Sequence, residues 1–101
     1  MHSEGIWTKA TRRAQHVQGR YNLLDYSAED GKGYGKYAHI VGNGTSDTDR
    51  SNAHTLDWEG NAWFAGNIYI GGTGQDDENA KNIIQAVIEA LPVYNGEVEE
   101  V

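Results

Sequence analysis

Apolar and polar positions along this chain follow two different periods. From Asp76 to Leu91 the apolar residues Ala80, Ile83, Ile84, Val87, Ile88 and Leu91 recur every three or four positions, which is the period of an amphipathic helix. Acids at Asp76, Asp77 and Glu78 suit the positive end of a helix dipole, and Pro92 stops the element. Ile84, Val87 and Leu91 fit a short a/d seam, and the β-branched residues there are compatible with a trimer. Earlier in the chain the apolar residues come singly or in short alternating runs bounded by glycine, the pattern of short strands and turns. Ile6, Trp7, Val17 and Tyr21 stand among polar neighbours as candidate buried positions, and Tyr37 to Gly42 reads as a strand ending at the tight-turn pair Asn43-Gly44. Thr55 to Trp58 and Ala62 to Ala65 flank Glu59-Gly60-Asn61 and form the clearest hairpin signal, and Asn67 to Ile70 is a further strand closed by Gly71-Gly72. The expected organisation is repeat coils over 1–26, a Gly/Lys loop over 27–36, a β-rich segment with a hairpin over 37–74, a C-terminal helix over 75–92 and a frayed acidic tail over 93–101.

A short phrase recurs within the strand-forming region. His2-Ser3-Glu4-Gly5, His16-Val17-Gln18-Gly19 and His39-Ile40-Val41-Gly42 each place glycine three positions after histidine, and Ala53-His54 echoes Ala38-His39 without the glycine. The first two copies are 14 residues apart and the last two histidines 15 apart. A unit of that length is too short for a helical hairpin and suits one coil of two short strands and two tight turns. Such self-similarity points to a stacked fibrous element. Gly5, Gly19 and Gly42 are expected to hold one equivalent turn, while His2, His16, His39 and His54 serve as hydrogen-bonding structural residues.

Composition sharpens this picture. Leu, Ile, Val and Phe together number 18 of 101 residues and the net charge is −7, a balance that borders on disorder. Three Trp and six Tyr among regular glycines, with a single Pro, argue against a solvated linker. The two observations agree if each chain buries its scarce apolar side chains against copies of itself, so a homo-oligomer is expected. Fifteen Asp and Glu against eight Lys and Arg disfavour nucleic acid as a partner. Zero cysteines exclude disulfides and thiolate sites. No apolar run reaches the length of a membrane span, and the N-terminus lacks the apolar stretch of a secretory signal, so no membrane insertion is expected.

His-Ser-Glu-Gly followed by Ala-Gln-His-Val-Gln-Gly resembles the tandem His-Ala-Glu-Gly units of phage tail-fibre and prophage structural proteins, themselves similar to the head repeats of trimeric autotransporter adhesins. The stretch from Tyr37 to Thr45, with Arg50 to Asp57 and Gly60 to Gly66, resembles the segment that closes many such phage proteins. The matches cover residues 2 to 75; Thr11-Arg12-Arg13 stands where the family has a small Ala-Ser-Gly run. The resemblance implies a mainly β fold, a trimeric intertwined β-coil or β-roll fibre segment with a C-terminal α-helix, in a tail fibre or baseplate. It also implies adhesion or spacing without catalysis, and a place in the virion, or in the bacterial cytoplasm before assembly if prophage-encoded.

Sharper chemistry finds less support in the residues. Three copies of one histidine meeting on a threefold axis would make a zinc or nickel set, but no ligand pair at i, i+4 and no second cluster accompanies it, so no metal site and no cofactor is assigned. Asp47 to Asn52 begins like a calcium loop, yet lacks glycine at the sixth position and has Trp58 at the twelfth. Gly71-Gly72-Thr73-Gly74 precedes a helix but leads into acids that repel phosphate. Ser51, His54 and Asp57 name a triad without a nucleophile elbow, and no catalytic residue is assigned. Trp63 and Phe64, with Ile84, Val87 and Leu91, are the expected trimer core, whereas Trp58 and Tyr69 are candidate contacts for a host cell-surface glycan. Two alternatives accompany the fibre reading: a glycan-binding module of a bacterial surface adhesin, and a fragment of a polysaccharide-degrading tail spike.

Overall fold

A computed structural model describes residues 1–26 and 32–92, so the acidic tail and some of the Gly/Lys loop lie outside the described residues. The fold is mainly β and divides into two units, Met1–Gly66 and Asn67–Val101. No helix among the described residues is long and apolar enough to cross a membrane.

The first unit is one mixed sheet. Its strands are β1 (His2–Ser3), β2 (His16–Arg20), β3 (Tyr37–Asn43), β4 (Asn52–Asp57) and β5 (Ala62–Phe64), adjacent in that order. β1, β2 and β3 run parallel, and their register follows the repeat: His2 lies opposite His16, His16 opposite His39, and Gly19 opposite Gly42. Each short unit therefore contributes one strand and an irregular return, where two strands per coil were expected. Beyond β1 the parallel ladder continues through Glu4 N–H to Val17 O (3.0 Å) and Ile6 N–H to Gly19 O (3.0 Å). β4 turns back antiparallel, so the fourth echo is a return strand, with His54 opposite Val41 rather than stacked as a fourth coil.

Of the repeated glycines, Gly19 and Gly42 sit in strands rather than in the expected turns, Gly5 lies in a bend just after β1, and the requirement all three meet is close approach. A Cβ on Gly5 would lie 2.0 Å from Gly19 O, one on Gly19 2.3 Å from Gly42 O, and one on Gly42 2.5 Å from Arg20 O. Gly19 adds a φ of +96°, which L side chains rarely adopt.

Between strands the returns are held by buried polar side chains. Gln15, fully buried, accepts from Thr11 N–H (3.1 Å) and donates through Nε2 to Asp25 Oδ2 and Tyr37 O, both at 3.1 Å. Asn22, also fully buried, accepts from Lys9 N–H at 2.8 Å and donates to Lys9 O and Leu23 O. Asp25 Oδ2 further accepts from the backbone of Lys36 and Tyr37. Arg50 reaches across, donating to Trp7 O and Asn22 O and pairing with Asp47 at 2.7 Å. These side chains replace regular secondary structure in satisfying loop backbone groups.

The apolar core of the described residues is Val17 and Ile40, both at zero exposure. Of the other expected buried positions, Ile6 and Trp7 are exposed and Tyr21 is half-buried. Ile6 and Trp7 follow the edge strand β1, whose outer side pairs with nothing within the described residues. The expected hairpin is present: β4 and β5 pair antiparallel, with Asp57 Oδ1 accepting from the N–H groups of Glu59 and Asn61 in the turn.

In the second unit β6 (Tyr69–Ile70) pairs antiparallel with β7 (Lys81–Asn82), and α1 spans Ile83–Ala90. The helix thus begins later than the periodicity predicts. Asp77 binds the N–H and hydroxyl of Thr73 and the N–H of Asn79, so the glycine-rich turn closes a hairpin out of residues expected to be helical. Asn82 is the actual N-cap, accepting from Gln85 N–H at 2.8 Å. Leu91 is the C-cap, so the expected seam retains only Ile84 and Val87 inside the helix.

Gly19→Ala meets both a forbidden φ and a backbone oxygen, whereas Gly60→Ala meets only the strain of φ +90°, with nothing within 4 Å. Thermal unfolding followed by circular dichroism should show a loss of about 1 kcal/mol for Gly60→Ala and at least twice that for Gly19→Ala. Equal losses would mean that close approach of the coils is not what glycine supplies.

Candidate functional site

Register and the alternation of side chains along a strand create two unlike faces. Val17, Ile40, Thr55 and Trp63 are successive cross-strand partners and form one row. The adjacent residues fall on the other face, where His2, His16, His39, His54 and Phe64 make a continuous aromatic ladder. Ring centroids are 4.9 Å apart for His2–His16 and His16–His39, 5.9 Å for His39–His54 and 4.4 Å for His54–Phe64. The spacing matches the separation of neighbouring strands, so the sheet itself enforces the stack. Trp63 and Phe64, expected together in one core, consequently face opposite ways; Phe64 caps the ladder and Trp63 ends the row that holds the buried Val17 and Ile40.

Ladder contacts fix ring orientation. His16 Nδ1 and His39 Nδ1 approach to 3.4 Å, and His54 Nδ1 lies 3.0 Å from Trp63 O. At the open end Glu4 stands beside the first two rings, its oxygens 3.6 Å from His2 Nε2 and 3.8 Å from His16 Nε2. The ligand-type atoms of His2, Glu4 and His16 all lie within 4.8 Å of one another. No i, i+4 search finds this group, because stacking joins residues one repeat apart; the 14-residue recurrence of histidine is the signal the sequence offers.

His39, between two other imidazoles, has its pKa lowered first by burial and then by the charges that His16 and His54 carry when protonated. A base whose folded-state pKa is depressed binds protons more readily when unfolded, so its contribution to stability is complete above the unfolded value of 6.5 and is lost as pH falls below it.

On the other face a recess of about 350 Å³ is bounded by Tyr37, Lys36, Asp57, Asn61, Leu23 and Trp63, with Asn52 and Thr55 at its floor. Trp63 is 52% exposed at its wall. The carboxylate of Asp57 is engaged by the turn, and the N–H of Asn61, foremost, with its side-chain amide and the N–H of Glu59, holds its pKa below the ordinary value. Trp58, a predicted glycan contact, does not line the recess; its Nε1–H donates to Tyr34 O at 3.1 Å and its ring meets Tyr34 edge-on. Tyr69, the other, belongs to the second unit on β6. The aromatic residues that do line it are Tyr37 and Trp63, the latter assigned by the sequence to the trimer core.

Melting temperatures measured between pH 7.5 and 5.5 should fall on acidification, and His39→Gln should remove some of that fall. Asp47, Asp57, Asp77 and Glu89, whose pKa values are lowered, titrate below this window. An identical loss in wild type and variant would show that the ladder's central ring does not couple to folding.

Set beside family models, curated proteins and solved structures, the chain finds no match in any of the three comparisons.

Proposed function

We propose that this chain is a non-enzymatic structural module of a phage or prophage tail fibre or baseplate, which assembles as a homotrimer and serves host-surface attachment. The observation that carries the reading is the inversion of its hydrophobic distribution. Val17 and Ile40 are the buried hydrophobic residues, while Ile6, Trp7, Trp63, Phe64, Ile84, Val87 and Leu91 are all exposed in the single chain, Ile84 to 67%. A folded domain of this length normally hides far more of its apolar surface, and large exposed apolar side chains mark surfaces that meet a partner. A second copy of the same chain is the partner for which the sequence supplies matching surface. The tandem His-x-x-Gly units add support for the fibre placement through their likeness to tail-fibre repeats, and their in-register parallel stacking is the geometry such repeats require. Asp57, the carboxylate at the recess, is tied into a turn, which suits a structural role better than proton transfer. A fragment of a polysaccharide-degrading spike is the weaker alternative for that reason.

The recess favours a second reading, a glycan-binding module of a bacterial surface adhesin. An indole wall flanked by Tyr37, Lys36 and Asn61 combines an apolar stacking surface with hydrogen-bonding groups, the chemistry that holds a sugar ring.

Light scattering over a dilution series should give a particle of three times the 11.1 kDa chain mass that persists on dilution; a well-folded monomer would sink the trimer. Trp63→Ala separates the two readings. If Trp63 packs between copies, the variant's trimer should melt lower by several degrees, on the order of 2 kcal/mol or more for a buried indole. If it faces sugar, the melting temperature should hold and glycan-array binding should disappear.

A further inference from the structure

We infer that His2, Glu4 and His16 form a binding site for a divalent transition-metal ion such as zinc. All three ligands come from one chain, so the inference stands apart from the proposed trimer. Strand alternation places His2 and Glu4 on one face of the first coil, and the parallel register sets His16 directly beside His2. The Nε2 atoms of the two imidazoles are aimed at different oxygens of the same carboxylate, at 3.6 and 3.8 Å. Both separations are longer than a hydrogen bond, so the group is not a closed hydrogen-bonded network. Zinc bonds of about 2.0–2.2 Å need ligand atoms roughly 3.3 Å apart, against the present limit of 4.8 Å. The movement is within reach of side-chain rotation, since His2 and Glu4 are exposed. His16 moves least: its Nδ1 faces His39, which leaves Nε2 for the metal.

The position is specific to the first coil. Two residues after each repeat histidine stand Glu4, Gln18 and Val41, so only the outermost coil sets a carboxylate beside a pair of stacked imidazoles. Two imidazoles and one carboxylate suit zinc, nickel, cobalt or iron(II) and disfavour magnesium and calcium, which take oxygen ligands. Three protein ligands leave a coordination position for water or for a group on another molecule.

Calorimetric titration of tag-free protein with zinc chloride tests the site, with cobalt(II) absorption as a spectroscopic probe of coordination geometry. The expected result is one ion per chain, an affinity at least about 10-fold lower in Glu4→Gln, and no effect of magnesium. Glu4→Gln changes an exposed side chain and keeps its size, so it should fold; Glu59→Gln at the hairpin tip removes the same charge elsewhere and should bind as wild type does. Imidazole signals of His2 and His16 should shift on titration while that of His54 stays. Equal zinc uptake by wild type and Glu4→Gln, equal losses in Glu4→Gln and Glu59→Gln, or no uptake at millimolar zinc would each overturn the site.

Discussion

Close approach of three parallel backbones, made possible by a column of glycines, is the constraint on which the rest of the first unit depends. Gly5, Gly19 and Gly42 lie over one another so tightly that a methyl group on any of them would overlap a backbone oxygen or its neighbours. That contact locks the register of one coil on the next, and because strand side chains alternate, register decides everything that faces outward. Histidine three positions before glycine is thereby stacked on histidine, and Val17 is set against Ile40. A slip of one residue would move the ladder to the buried row and the apolar pair to solvent.

So short a core does not hold long returns by itself. Buried amides and one carboxylate, Gln15, Asn22, Asn52 and Asp25, take the place that apolar packing has in larger domains. Each is nearly or fully buried, and each binds backbone groups that irregular loops leave unpaired. Polar networks of this kind are directional, so they specify one path for the chain more sharply than they stabilise it. The remaining stability is drawn from outside the single chain in the trimer reading. Exposed Trp, Phe and Ile side chains in both units are consistent with that division of labour, in which hydrogen bonds set the shape of each coil and apolar burial joins the copies.

The two faces of the sheet offer different chemistry. One carries imidazoles in contact and ends in a carboxylate; the other carries an indole beside a recess. Trp63 and Phe64 are neighbours in sequence and so divide between these faces. Within the ladder His39 is the ring tied to pH, its pKa lowered by burial and then by the neighbouring His16 and His54.

The sequence by itself determined the mainly β character, the stacked repeat and the hairpin about Gly60, because these rest on local signals: recurrent histidine and glycine, alternation, and turn-forming residues. It also determined that apolar residues are too few for an ordinary core, a matter of composition alone. Tertiary structure decided what depends on partners distant in the chain. Asp77 captures Thr73 and Asn79, so a helical-looking stretch becomes a hairpin and α1 begins at Ile83. His54 turns back on an antiparallel strand, Ile6 and Trp7 fall at an unpaired edge, and Trp58 spends its indole N–H on Tyr34. His2, Glu4 and His16 converge only when one coil lies on the next, a proximity fixed by backbone pairing across the repeat rather than by any spacing within it.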